Sequence, residues 1–415
     1  MMRWLRSPVS VLPVSVLVVA AGLVASVLIA VSLPYARLAA AQDAPTDFYA
    51  DLPPWLPRPI VPDDNPLTPE KVELGRRLFY DTRLSVTGEM SCGTCHQQAR
   101  AFTDGLPVAV GATGQPHPRN TMTLTNVAYL PVLTWANPTL EHLEQQALIP
   151  LFGETPVEQG LAGREQQLFE LFRTDPEYAR LFPSSFPGEA DPYTLGTMTR
   201  ALGAFQRTLI SYDAPYDRYR YGRDPGAISD LAKRGERLFF SEDLECHHCH
   251  SGLNMTDSIR HQRLAFTEVA FHNTALYNLD GRGAYPGQNT GLREITGRPE
   301  DMGRFRTPTL RNIALTAPYM HDGSIPDLDG VLDHYRQGGR TIADGPHAGV
   351  GRTSPLKSIF LVGFSLSQAD RAAVLAFLES LTDESFLHDP RFSDPFDPPQ
   401  TPPQAGGPRP QGGGS

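Results

Sequence analysis

All four cysteines of this 415-residue chain lie in two copies of one five-residue phrase, Cys92-Gly93-Thr94-Cys95-His96 and Cys246-His247-His248-Cys249-His250. C-x-x-C-H puts two sulfurs on one short helical turn with an imidazole beside them. That spacing attaches haem covalently: the thiols form thioethers with the vinyl groups and the histidine reaches the iron as an axial ligand. A zinc site would usually pair two clusters into closed tetrahedral ligation. A redox disulfide would lack the paired histidine and sit in a βαβ context. No cysteine is left over for a disulfide or a free thiol. The reading is two c-type haems, one on Cys92, Cys95 and His96, the other on Cys246, Cys249 and His250. His247 and His248, between the thioether positions, read as exposed spacers.

The chain is 40% hydrophobic and 20% charged, the balance of a folded protein of two or three domains. Its formal charge of −10 leaves no basic surplus to neutralise phosphates, which excludes a nucleic-acid binder. Basic residues Arg3 and Arg6 precede an apolar run from Val9 to Leu33, and Ala39-Ala40-Ala41 offers a cleavage site. Residues 1–41 therefore read as a signal peptide or, since the run is long enough to span a bilayer, a membrane anchor. They hold three Arg and no acid, so their removal takes the formal charge from −10 to −13. A periplasmic location is expected, soluble after cleavage or anchored to the inner membrane.

Two phrases recur in order. Leu74-Gly75-Arg76-Arg77-Leu78-Phe79-Tyr80 is echoed by Arg234-Gly235-Glu236-Arg237-Leu238-Phe239-Phe240. Thr121-Met122-Thr123-Leu124-Thr125-Asn126 is echoed by Thr307-Pro308-Thr309-Leu310-Arg311-Asn312. Such order implies an internal duplication. The expected architecture is all-α: two duplicated cytochrome c-like domains with long loops and one haem each. The expected boundaries are a Pro-rich entry at 42–67, domains at 68–215 and 226–385, and a disordered Pro/Gly-rich tail at 386–415. A helix should begin near Thr68-Pro69-Glu70, where a capping residue precedes proline. Further amphipathic stretches fall at 162–182, 194–209 and 366–381, and strand alternation is slight.

The second axial ligand separates electron carriage from catalysis, because a six-coordinate haem has no place for substrate. Met255, Met302 and Met320 sit at no ligand spacing on a helix. In Leu328-Asp-Gly-Val331-Leu332-Asp-His334-Tyr335, the residues Leu328, Val331, Leu332 and Tyr335 share one helical face, with His334 turned toward solvent. Tyr335 thus faces the interior, either as an ordinary core tyrosine or as an iron ligand.

The two C-x-x-C-H units, the repeated Leu-Phe helices and the run Arg311-Asn312-Ile313-Ala314-Leu315-Thr316-Ala317-Pro318-Tyr319-Met320-His321-Asp322-Gly323-Ser324 resemble the bacterial di-haem cytochrome c peroxidase/MauG superfamily over about residues 60–385. The branch indicated is the MauG/MbnH-like one. The resemblance puts Tyr335 where the peroxidases carry an axial methionine, implying His250 and Tyr335 on the second iron. It puts Ala112 where the peroxidases carry a distal histidine, implying a first iron held by His96 alone and open on its other face. His117 matches no ligand position and reads as a loop residue.

Pro156-Val157-Glu158-Gln159-Gly160 is similar to the motif of the family's distal acid–base group. This implies Glu158 for that role, with Glu154 as the nearby competitor. Trp135 matches the tryptophan that relays electrons between the haems. Asn120 and the carbonyls of Thr316 and Pro318 match the ligands of an interdomain calcium ion. Leu244 replaces a surface tryptophan of MauG, so the outlet for oxidising equivalents must differ. The implied activity is that of an oxidoreductase using hydrogen peroxide to reach a high-valent two-haem state. That state would oxidise a donor by long-range electron transfer, with Trp or Tyr of a small exported partner protein as the donor. The alternative is a peroxidase drawing electrons from a small cytochrome or cupredoxin.

Overall fold

The computed structural model describes residues 46–397; the expected leader at 1–41 and positions 398–415 of the expected tail lie outside the described residues. Seven helices of eight or more residues occur among them: α1 (Pro69–Tyr80), α2 (Glu165–Thr174), α3 (Pro176–Ser185), α4 (Leu195–Gln206), α5 (Asp230–Phe239), α6 (Leu328–Arg336) and α7 (Gln368–Glu379). The all-α expectation needs one correction. Two short antiparallel ribbons are present, β1 (Phe271–Asn273) with β2 (Arg304–Arg306) and β3 (Thr341–Ile342) with β4 (Gly349–Val350).

The helix starts follow local chemistry. Thr68 caps α1, its hydroxyl accepting from the Lys71 N–H with Pro69 in the first turn. Thr194, Ser229 and Ser367 cap α4, α5 and α7 in the same way. The amphipathic stretch at 162–182 is two helices rather than one. The Asp175 carboxylate accepts from the N–H groups of Glu177 and Tyr178, and Pro176 opens α3, so the chain turns there.

The duplication is visible in atomic detail. α1 crosses α4, and α5 crosses α7. A Cβ on Gly75 would stand 1.9 Å from the Ala201 carbonyl oxygen and 2.9 Å from Phe205 Cβ. On Gly235 it would stand 1.9 Å from the Ala373 oxygen and 2.9 Å from Phe377 Cβ. Only glycine lets these backbones approach so closely. Around each crossing sits a core: Leu74, Leu78, Phe79, Leu202 and Phe205 in the first half, Phe239, Val374, Phe377 and Leu378 in the second.

The second echo is equally structural. Asn126 (φ 58°) and Asn312 (φ 60°) both adopt the left-handed conformation before a single 3₁₀ turn. Both amides reach Ser211, Asn126 Nδ2 donating to its carbonyl and Asn312 Nδ2 to its hydroxyl. The segment joining the halves is thereby built into the fold. It is held further by a buried ion pair between Asp217 and Arg311. Among the described residues, those from Phe48 onward form one compact unit.

The expected tail is corrected at its start. Glu384–His388 is helical, and Phe386, Leu387 and Phe392 are buried in the first half's core. Tyr80 donates to the Phe392 carbonyl and Gln98 Nε2 to those of Phe386 and Asp389. Apolar residues spaced through this Pro-rich stretch, rather than its overall composition, decide that it packs.

Candidate functional site

The first C-x-x-C-H occupies a single helical turn, Cys92–Cys95, started by Ser91, whose N–H is taken by the Thr94 hydroxyl. Gly93 is required between the cysteines, since a Cβ there would stand 2.4 Å from the Tyr80 ring. His96 Nδ1 lies 2.9 Å from the Phe102 carbonyl, so it carries the proton and leaves the Nε2 lone pair free for a metal. The second motif repeats this: His250 Nδ1 lies 3.1 Å from the Met255 carbonyl. Phe102 (φ 62°) and Met255 (φ 49°) hold left-handed conformations that turn these carbonyls to the rings. Burial lowers the proton affinity of both imidazoles, favouring the neutral, ligating form. Burial also pushes the Cys92, Cys95 and Cys246 thiols up to about 12, and all four cysteines are unpaired.

Each motif opens on its own cavity, of about 470 Å³ at the first and 190 Å³ at the second. Two thiols, an imidazole with a free Nε2 and an apolar cavity fit haem c at both positions.

The first cavity is lined by Glu158 and His117 together with Cys92, Cys95 and His96. Burial pushes the Glu158 carboxyl up to about 7. Glu154 is exposed and does not line the cavity, which separates the two carboxylates by position. His117 lies in a loop, as expected, and its Nε2 stands 3.7 Å from Glu158 Oε1. Gly111 is among the lining residues and Ala112 is not; the Ala112 N–H instead donates to the Glu158 carbonyl at 2.7 Å. The histidine was hard to see because its carboxylate partner is 41 residues away and on another loop.

The second cavity takes Leu328, Val331, Leu332 and Tyr335 from α6, together with Cys246, Cys249 and His250. The helical face read from periodicity is the face that lines it. Burial raises the Tyr335 phenol above its ordinary range, so its anion needs a cation beside it. His334 is corrected from solvated to buried: its Nε2 lies 2.9 Å from the Thr274 carbonyl. His247 and His248 are half-buried rather than exposed, His248 stacking on Phe360 and lying 2.7 Å from Glu245. Leu244 is buried in the cavity wall. Met320 also lines this cavity, from a left-handed backbone position (φ 72°).

Trp135 and Arg306 line both cavities. The indole Nε1 donates to the Asn120 carbonyl at 2.9 Å. Arg306 is fully buried, bonded to the Thr134 and Thr307 carbonyls, with no carboxylate of the described residues in ion-pair range. Burial lowers its guanidinium to about 10. A buried cation without a counter-charge costs several kcal/mol, and a haem propionate is a carboxylate of the right kind to offset it. Asn120, Thr316 and Pro318 line one small pocket beside Trp135. Asn120 Nδ2 donates to the Leu106 carbonyl, which leaves Oδ1 available. The three residues offer hard oxygen donors of the kind calcium takes.

Residues 69–225 match the family model described as di-haem cytochrome c peroxidase. The chain is 36% identical over 326 residues to the methylamine utilization protein MauG of Methylorubrum extorquens, covering 78% of this chain and 81% of that one. It is 30% identical over 267 residues to the cytochrome c551 peroxidase of Pseudomonas aeruginosa, covering 64% and 72%. Among solved structures, a MauG-like protein associated with microbial copper homeostasis is 50% identical, with a TM-score of 0.82 over 84% of this chain and 99% of that one. Two haem-attachment motifs on a duplicated helical frame and this breadth of similarity agree: the chain belongs to the di-haem cytochrome c peroxidase/MauG family of oxidoreductases.

Proposed function

We propose that this protein is an exported, periplasmic oxidoreductase that reduces hydrogen peroxide at the first centre. It passes the oxidising equivalents through Trp135 to the second, and from there oxidises a Trp or Tyr side chain of a small exported partner protein. The observation that carries the MauG-like reading is Tyr335. It brings a phenol into the cavity that His250 also lines.

Haem c at each motif would supply an iron for peroxide and for one-electron transfer. His96 would hold the first iron, and His250 and Tyr335 the second. In the first cavity Glu158 moves the peroxide proton from one oxygen to the other as the O–O bond breaks, a task suited to a carboxyl poised near 7. Tyr335 as its anion would favour the oxidised state of a bound iron. Arg306 would offset the propionate charge of a bound haem. Asn120, Thr316 and Pro318 would hold a calcium ion beside Trp135.

Peroxide added to the diferric holoprotein, without prior reduction, should leave both haems oxidised above the ferric state, as read by optical and Mössbauer spectra. A protein that responds only after one haem has been reduced overturns the MauG-like reading. The alternative activity, peroxide clearance with a small cytochrome or cupredoxin as donor, predicts rapid steady-state turnover with that reduced donor.

A further inference from the structure

We propose that His117 is the proton partner of Glu158, orienting the carboxyl over the first cavity and relaying protons between it and solvent. The inference rests on the reading of the first centre as the peroxide site.

Its basis is a pair of loops that the sequence keeps far apart. Residues 109–117 form a tight hairpin, the His117 N–H donating to the Ala109 carbonyl and the Gly111 N–H to that of Gln115, both at 2.8 Å. The hairpin is fastened to the Glu158 loop at two points. The Ala112 N–H donates to the Glu158 carbonyl, and the Val157 N–H donates to Gln115 Oε1 at 3.2 Å. At the contact itself a Cβ on Gly111 would stand 1.9 Å from the Val157 carbonyl oxygen, so only glycine permits this approach. The result places the His117 and Glu158 side chains on one cavity wall, Nε2 facing Oε1 at 3.7 Å. That is beyond a direct hydrogen bond, and within reach of one after a small rotation or through a single water.

His117 is furnished for both protonation states. The Arg119 N–H lies 3.1 Å from His117 Nδ1 and the Arg119 carbonyl 3.2 Å from it. Neutral imidazole accepts from the first, which puts its proton on Nε2, toward Glu158. Imidazolium donates to the second. Nδ1 stays partnered in each state, so a proton taken up at Nδ1 is matched by one leaving Nε2 for the Glu158 carboxylate without orphaning the ring. The other charges on this wall are fixed: the Arg119 guanidinium is tied to Glu294 and Asn289, and Arg306 to carbonyls.

The chemistry consumes protons at this carboxyl. Breaking the O–O bond with the electron pair leaving on the far oxygen releases one water after Glu158 has moved a proton to it. Reducing the remaining oxygen to a second water takes two electrons from the donor and two protons from solvent. Glu158 and His117 are similarly exposed, 34% and 30%, and His117 is the titratable group beside the carboxyl from which it takes those protons.

The test uses the holoprotein with His117→Gln, His117→Phe and Glu158→Gln. Cyanide association with the ferric protein reads the distal base without turnover, because HCN must lose its proton on binding. The wild type should show an inflection near pH 7, absent in Glu158→Gln. His117→Phe should move it upward by about one unit as the carboxylate loses its partner. His117→Gln keeps a donor and should leave the inflection in place while slowing the peroxide reaction roughly tenfold. A wild-type profile and peroxide rate in both His117 variants would overturn the relay, with Glu158 untouched. A wild-type profile in Glu158→Gln would overturn the role of Glu158 and the relay with it. A low-spin resting spectrum that turns high-spin in both His117 variants makes His117 an iron ligand and overturns the proposal.

Discussion

At the scale of single residues, protonation state decides the chemistry. Glu158 is pushed up to about 7 by burial, so it is increasingly protonated below that pH and carboxylate above it. Its first act is to accept a proton from peroxide, which needs the carboxylate. The second-order rate with peroxide should therefore rise as pH increases through about 7 and level off above it, measured by stopped flow. A rate independent of pH from 5 to 9 would remove Glu158 from that step. Tyr335 offers the sharper substitution. Tyr335→Met places a neutral thioether where burial now isolates a phenol, and should push the protein toward ordinary peroxidase behaviour with a changed second-haem spectrum. An unchanged spectrum would show that Tyr335 does not touch iron. Tyr335 was legible because a helix repeats its facing every three to four residues and the apolar partners Leu328, Val331 and Leu332 mark the face. His117 and Glu158 were not legible as a pair. Their meeting depends on a hairpin and a loop whose shapes come from backbone hydrogen bonds that no local pattern encodes.

At the scale of elements, the duplication stands on two glycines. α1 on α4 and α5 on α7 use the same crossing, with Gly75 and Gly235 against the carbonyls of Ala201 and Ala373. The sequence echo showed repeated helices, but the partners α4 and α7 share no obvious phrase. What they share is a small residue followed four positions later by Phe, Ala201 with Phe205 and Ala373 with Phe377, a pattern too sparse to read without the crossing in view. Gly75→Ala and Gly235→Ala each force a methyl into a backbone at 1.9 Å, so each should destabilise by about 1–3 kcal/mol through overpacking. The gain in helix propensity, about 1 kcal/mol, is too small to reverse this. Thermal unfolding of both variants checks it. An unchanged midpoint in either would show that the helices separate without loss and that the crossing is not a conserved constraint of the two halves.

At the scale of the molecule, two cavities are joined by one wall. Trp135 and Arg306 line both, and bonds around them fasten the halves: the Arg306 guanidinium to the Thr134 carbonyl, and the linker Ser211 to Asn126 and Asn312. A fold that only housed two independent haems would not need a shared aromatic between them. Trp135 came from a motif match, whereas Arg306 escaped notice, because a lone arginine in a short strand carries no signal until its burial is known. If the indole passes oxidising equivalents between centres, Trp135→Phe keeps the packing but removes both the Nε1 bond and the more easily oxidised ring. Peroxide added to that diferric variant should still react at the first centre at a near wild-type rate. The change at the second haem should be delayed by about tenfold or more, a barrier increase near 1.4 kcal/mol. Simultaneous changes at both haems, as in the wild type, would show that charge crosses by a path that avoids Trp135.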